Sequence, residues 1–74
     1  MTQLSQATIG SRYKIEHIPS DFLDDLEAHG IFLGTCVSVL FRMPFQGPLV
    51  LSCRERILSL RFVQANRIKV TADA

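Results

Sequence analysis

The sequence has no tryptophan and a single tyrosine, Tyr13. The sequence therefore has few of the aromatic residues that line a groove for proline-rich peptides. Neither sign of charge is in large excess, because eight basic residues and seven acidic ones leave a formal net charge of +1. No cluster of lysine and arginine is dense enough to follow a phosphate backbone. These shortages argue against a peptide-reading adapter and against a nucleic-acid-binding protein.

Cysteine is limited to Cys36 and Cys53. The first six residues form neither a basic stretch nor the start of an apolar run, so we expect no secretory leader. The expected location is then the cytoplasm, where both thiols stay reduced. The longest apolar stretch, 31–41, is interrupted by Gly34 and stopped by Arg42, far short of the ~20 residues of a membrane helix. We therefore expect no direct insertion into a membrane.

A chain of 74 residues can bury only one core, so residues 1–74 are expected to form a single domain whose core spans about 9–71. Hydrophobic residues nevertheless make up 47% of the sequence. That share is high for a domain whose surface is large relative to its volume. Some apolar surface should remain for a partner.

One segment has the periodicity of a helix. Phe22, Leu23 and Leu26 recur at helical spacing, Ser20 is a suitable N-cap, and Gly30 is a suitable C-terminal stop. These signals predict one sizeable helix over residues 20–29. A shorter helical turn is predicted at 63–66.

The remaining chain alternates between apolar and polar residues, which is typical of half-buried strands. In the segment 36–43 the alternation places Val37, Val39, Phe41 and Met43 on one face and Arg42 on the other. The prolines of Pro44-Phe45-Gln46-Gly47-Pro48 predict a hairpin connection after it. About five short strands are expected, at 13–18, 36–43, 49–53, 58–62 and 67–70. In so short a chain they favour a mainly β, small closed barrel, because closure removes exposed strand edges.

The predicted core of this barrel consists of apolar residues from separate strands, which should be buried together: Val37, Val39, Leu51, Leu60 and Val70.

Groups that could support catalysis or hold a metal are few. The nitrogen and sulfur donors are His17, His29, Cys36 and Cys53, and no two of them have the spacing of a metal-binding pair. A nucleophile elbow and a glycine-rich phosphate loop are also missing. We expect no bound metal, no cofactor and no enzymatic activity.

Several short motifs give the sequence a resemblance to a known family. They are Leu26-x-x-x-Gly30-Ile31-x-x-Gly34-Thr35, Val37-x-Val39, Pro44-x-x-Gly47-Pro48, Leu60-Arg61, Ala65 and Ile68-x-Val70. In this order and at this total length, the set resembles the FeoA family over about residues 13–70. Most of these residues mark turns, so they indicate a fold more than a chemistry.

The resemblance implies an SH3-like barrel in the cytoplasm that works with FeoB, the membrane transporter of ferrous iron with its cytoplasmic GTPase domain. One alternative is a detached regulatory domain related to that of iron-dependent repressors, although no segment can supply their DNA-binding helices. A peptide-binding SH3-like adapter is a second alternative. A weak homo-oligomer is compatible with all three.

For the partner-binding surface we predict the hairpin connection and its flanking arginines: Arg42, Met43, Phe45, Pro48 and Arg54. An aromatic residue beside arginines is a common composition for an interface hot spot. Phe45 could instead fold back over the open end of the barrel, in which case the helix face with Asp25 and His29 is the next candidate.

The arginines of the region 54–61 suggest a further role. Arg54, Arg56 or Arg61 could act toward a GTPase as an arginine finger, which stabilises charge in the transition state. An arginine on a strand is more often a solvated surface residue.

Overall fold

The computed structural model describes residues 1–73 and is mainly β, as predicted. The strands are β1 (Thr2–Gln3), β2 (Arg12–His17), β3 (Cys36–Arg42), β4 (Leu49–Cys53), β5 (Arg56–Leu60) and β6 (Lys69–Ala72). The helices are α1 (Leu23–Ala28) and α2 (Phe62–Ala65), and 3₁₀ turns occupy Leu4–Gln6 and Ser20–Phe22. The short first strand, β1, is an addition to the five expected.

All six strands belong to one antiparallel sheet with the order β1-β6-β2-β3-β4-β5. The sheet wraps around the core, but within residues 1–73 no strand pairing joins β5 back to β1. The barrel is therefore not closed by hydrogen bonds between these strands, and β5 keeps a free edge.

The core gathers apolar residues from every part of the chain. All five residues predicted to be buried together are confirmed: Val37, Val39, Leu51, Leu60 and Val70. The opening segment adds Leu4 and Ala7, and the backbone N–H of Leu4 donates to the Ile68 carbonyl at 2.9 Å. The first residues thus belong to the folded domain.

The predicted helix is present but begins differently. Residues Ser20–Phe22 form a 3₁₀ turn and α1 follows, so Ser20 is not an N-cap as predicted, and its side chain makes no capping hydrogen bond. At the other end Gly30 has φ +84°. Its N–H donates to the Glu27 carbonyl, and the N–H of Ile31 donates to that of Leu26. This is a Schellman motif, which confirms Gly30 as the stop.

Arg67 attaches the helical segment to the start of β6. Its guanidinium donates to both carboxylate oxygens of Asp21, at 2.6 and 3.2 Å, and lies 5.4 Å from the centre of the Phe22 ring. The hydrogen bonds from Arg67 lower the pKa of Asp21.

A bulge in β3 changes which side chains face the core. Val39 pairs with Leu51 and Phe41 pairs with Val50, so Leu40 is an extra residue. Before the bulge, Val37 and Val39 face inward as predicted. After it, Phe41 and Met43 are 48% and 44% exposed, so the prediction that they share one face of the strand with the buried Val37 and Val39 is wrong. A second irregularity between Ile15 and His17 leaves His17 exposed, whereas Ile18 is buried.

Candidate partner-binding surface

The connection between β3 and β4 is a tight loop that presents Phe45 to solvent. The N–H of Met43 donates to the Pro48 carbonyl at 3.0 Å, and the N–H of Gly47 donates to the Pro44 carbonyl at 3.1 Å. Gly47 is required here, because a Cβ atom on it would lie 2.7 Å from the Cβ of Met43. At the tip the Phe45 side chain is 99% exposed, so it does not fold back over the barrel.

The backbone at the tip is held in a conformation that side chains disfavour. Phe45 and Gln46 have φ values of 57° and 59°, in the left-handed region. Two consecutive residues of this kind form a turn of the I′ type, in which asparagine and glycine are usual. Each non-glycine residue costs about 1–2 kcal/mol there. Such strain is concentrated at functional sites, and here it projects an aromatic ring into solvent.

Exposed apolar side chains continue from the loop into β3. We define the hairpin surface as the four residues Phe41, Met43, Phe45 and Pro48. All four are exposed. Phe41 was not predicted as a surface residue, since only the bulge at Leu40 reveals it, and no sequence signal marks a bulge of this kind.

Arg42 is not the outer-face residue that the alternation predicts. It pairs with Leu49, which is buried, and directly opposed residues project from the same face of a sheet. The Arg42 guanidinium donates to the carbonyl oxygen of Ala7. Its side chain thus reaches back to the opening segment rather than extending toward a partner.

Arg54 lies away from the hairpin surface. It occupies the β4–β5 turn, whereas Phe45 occupies the β3–β4 loop at the other end of β4. At about 3.3 Å per residue the five residues of β4 hold the two turns roughly 15 Å apart. The structure therefore brings Met43, Phe45 and Pro48 together and separates Arg54 from them.

The cysteines and histidines do not converge. Cys53 is buried and Cys36 half-buried, on the neighbouring strands β4 and β3, and both are free thiols. A hydrogen bond to Asp73, together with burial, raises the pKa of Cys36, which keeps the thiol protonated and a weak nucleophile. His29 Nδ1 donates to the Asp25 carbonyl at 2.8 Å. Across residues 1–73, no three histidine, cysteine or acidic side chains come together as metal ligands would.

Tyr13 is occupied by an internal contact. Its side chain is buried, and its Oη accepts a hydrogen bond from the backbone N–H of Thr8 at 2.9 Å. Hydrogen bonding with Thr8 lowers the pKa of Tyr13. The single tyrosine is thus not displayed for a peptide ligand, which weakens the adapter alternative.

Six short strands around one core, flanked by two short helices, define a small SH3-like barrel domain. The family model of the FeoA domain matches residues 2–72, and the chain belongs to the FeoA family. No curated protein matches it. None of the helices in residues 1–73 has the length and apolar character needed to cross a membrane.

Solved structures share the fold. The FeoA protein of Chlorobium tepidum superposes with a TM-score of 0.88 at 24% identity, over 99% of this chain and 71% of that one. The FeoA-like protein of Clostridium acetobutylicum has a TM-score of 0.81 at 30% identity, over 97% and 90%. A manganese-dependent transcriptional repressor gives 0.86 at 23% identity, but this chain covers only 41% of its length.

Proposed function

We propose that this protein is a cytoplasmic accessory protein of bacterial ferrous iron uptake. It binds the cytoplasmic GTPase region of the FeoB transporter and regulates it by contact, without an activity of its own. Membership of the FeoA family supports the link to ferrous iron transport. The observation that carries the contact mechanism is Phe45, a fully exposed aromatic ring at the tip of a strained loop.

The hairpin surface is suited to binding another protein. Aromatic side chains are frequent hot spots, and Phe45 has its whole surface available for burial. Pro44 and Pro48 restrict the loop before it binds, which reduces the conformational entropy lost on docking. Because Arg42 is engaged with Ala7, the contact relies on apolar groups.

The absence of an activity of its own is supported by the chemistry of the thiols. Cys36 has a raised pKa and Cys53 is buried, so neither is an activated nucleophile. We expect the purified protein to hydrolyse no nucleotide and to hold no stoichiometric iron or zinc. Elemental analysis that finds one metal per chain, lost when Cys36 or Cys53 is changed, would contradict this.

The test of the partner is a binding measurement with the purified cytoplasmic region of FeoB. Phe45→Ser should weaken binding by roughly tenfold or more, as hot-spot truncations do, with little change in melting temperature. Leu33→Ser is the matched control, because Leu33 is a 61% exposed apolar residue in the turn before β3, away from the hairpin surface. Unchanged binding in Phe45→Ser would move the interface to the α1 face with Asp25 and His29. No binding by the unmodified protein would reject the proposal.

The structural similarity to a metal-dependent repressor supports one second candidate, a detached regulatory domain of that kind. Failure of the isolated chain to bind DNA is expected under both candidates and does not separate them. Binding to FeoB separates them, because only the accessory protein requires it.

A further inference from the structure

Strand β5 offers an unpaired backbone edge. It is the last strand of the sheet and pairs with β4 alone. A two-residue hairpin turn, Arg54-Glu55, joins the two strands. In such a hairpin the two residues that flank the turn, here Cys53 and Arg56, are hydrogen-bonded to each other. Because hydrogen-bonded and non-bonded pairs alternate, the N–H and C=O groups of Ile57 and Ser59 point away from β4. Within residues 1–73 no other group hydrogen bonds to the backbone of β5.

The side chains along this edge are apolar and incompletely covered. Ile57 is 72% exposed, and Leu58 is half-buried. A cleft of about 260 Å³ runs between β5 and α1. Its main walls are Leu58, Ser59 and Leu60 from β5, Asp25 and Leu26 from α1, and His29 just after α1. This volume is below the roughly 300–1,000 Å³ of small-molecule sites, so the cleft fits a side chain rather than a ligand of that size.

The charges at the two ends of β5 are complementary in one arrangement. Glu55 lies just before the strand and Arg61 just after it, and neither makes an ion pair within residues 1–73. If two β5 strands pair antiparallel about a two-fold axis at Leu58, Glu55 of each copy faces Arg61 of the other. Ile57 then faces Ser59, which completes the ladder from both copies. A shift of the register by two residues in either direction removes the Glu55–Arg61 pairing.

We propose that the free edge of β5 binds a second copy of this chain by this antiparallel pairing, with Leu58 against Leu58 at the two-fold axis. The pairing would satisfy the outward backbone groups of both copies and cover the mouth of each cleft. Opposed charges across strands add to stability and set the register. The inference does not depend on FeoB, since it concerns the protein alone.

A dimer joined by one short strand from each copy buries little surface, well under the ~1,200 Å² of stable complexes, so it should be weak. Sedimentation equilibrium should give a dissociation constant on the order of 10⁻⁴ M. Hydrogen exchange followed by NMR should show protection of the Ile57 and Ser59 amides that increases with protein concentration. The Leu58 amide, which already bonds to β4, should change little. A monomer at every concentration up to about 1 mM would overturn the proposal.

Two sets of variants test the geometry. Ser59→Pro removes the outward N–H without removing a bond to β4 and should abolish the dimer, whereas Ser59→Thr keeps the N–H and should preserve it. Glu55→Arg and Arg61→Glu should each weaken the dimer roughly tenfold, because each places like charges opposite each other at both 55–61 contacts of the dimer. The double variant should restore the dimer, because opposite charges then face each other again. A dimer unaffected by Ser59→Pro, or one that the double variant fails to restore, would overturn the proposed pairing. If Ser59→Pro does not fold, hydrogen exchange on the unmodified protein still tests the pairing, because it measures the protection of the Ile57 and Ser59 amides directly.

Discussion

Arg42 lies directly opposite Leu49 across the β3–β4 ladder and donates a hydrogen bond to the carbonyl of Ala7. The bulge at Leu40 produces this relationship, because one extra residue exchanges the faces of all the side chains that follow it in the strand. The arginine that alternation placed on the outer face thus connects β3 to the opening segment, and Phe41 takes the outer position.

The first prediction concerns this contact. Arg42→Ala should destabilise the fold by about 1–2 kcal/mol, because the Ala7 carbonyl loses a charged hydrogen-bond donor. The measurement is urea unfolding followed by circular dichroism. Arg54→Ala is the control: Arg54 is exposed and forms no ion pair in the part of the chain described, so its loss should change stability by less than about 0.5 kcal/mol. Equal effects of the two substitutions would contradict a structural role for Arg42.

The second prediction concerns backbone strain in the β4–β5 turn. Arg54 and Glu55 have φ values of 50° and 68°, although the I′ geometry suits glycine at the second position. In dilute solution Glu55→Gly should stabilise the protein by about 1 kcal/mol, because it relieves a left-handed conformation. Thermal unfolding would show this as a higher melting temperature.

Gly30→Ala is the reverse of Glu55→Gly, because it adds a side chain at a left-handed position instead of removing one. Gly30 has φ +84°, and a Cβ atom there would meet nothing within 4 Å, so the cost should be conformational alone, about 1 kcal/mol. A neutral effect at both positions would mean that the left-handed backbone is not maintained in solution.

The third prediction concerns the core. Leu51 is fully buried at the centre of the β3–β4–β5 region. Leu51→Ala should cost on the order of 2–4 kcal/mol, from lost burial and from the cavity left behind. Leu33→Ala, at a position 61% exposed, should cost much less. Chemical denaturation of both variants gives the comparison, and a small loss for Leu51→Ala would place the core elsewhere.

The fourth prediction concerns the thiol of Cys36. Its pKa is raised from the ordinary 9.0, first by the hydrogen bond to Asp73 and then by burial. In a Cys53→Ala background, alkylation by iodoacetamide at about pH 8.5 should be slower than for a free thiol, since only the thiolate reacts. Asp73→Asn should raise the rate by removing the negative charge.

The same shift has a consequence for stability. Because the folded state holds this proton more tightly than the unfolded state, the contribution to stability is present below pH 9 and is lost as the pH rises through the folded pKa. Asp73→Asn should flatten this alkaline loss in unfolding measured across pH. An unchanged alkylation rate and an unchanged alkaline profile would show that Asp73 does not contact the thiol.

Much of the fold follows from local patterns. Three patterns involve only residues within a few positions of one another: the alternation in 49–53, the helical spacing after Ser20 and the turn-forming segment Pro44–Pro48. The structure contains the corresponding strand, helix and loop. The two-residue strand β1 could not be read in this way, because Thr2–Gln3 is too short to show a period and forms only by pairing with β6.

The candidate surface was predictable only in part. The exposed prolines and aromatic residue of the loop predict an interface from composition, and Met43, Phe45 and Pro48 do lie together in one exposed loop. Local sequence could not show whether Arg42 and Arg54 lie beside these three residues. The answer for Arg42 depends on the direction of side chains after a bulge, and the answer for Arg54 depends on which end of β4 each turn occupies.

By itself the sequence determined the class of fold, five strand residues of the core and the positions of the turns, because hydrophobic periodicity and the special backbone of glycine and proline act over a few residues. Only the tertiary structure decided that Phe41 takes the outer face while Arg42 reaches back to Ala7, that Phe45 is fully exposed and that β5 is left without a second neighbour. These features arise from pairings between distant segments, in which one unpaired residue exchanges the faces of a strand and one missing partner leaves an edge open.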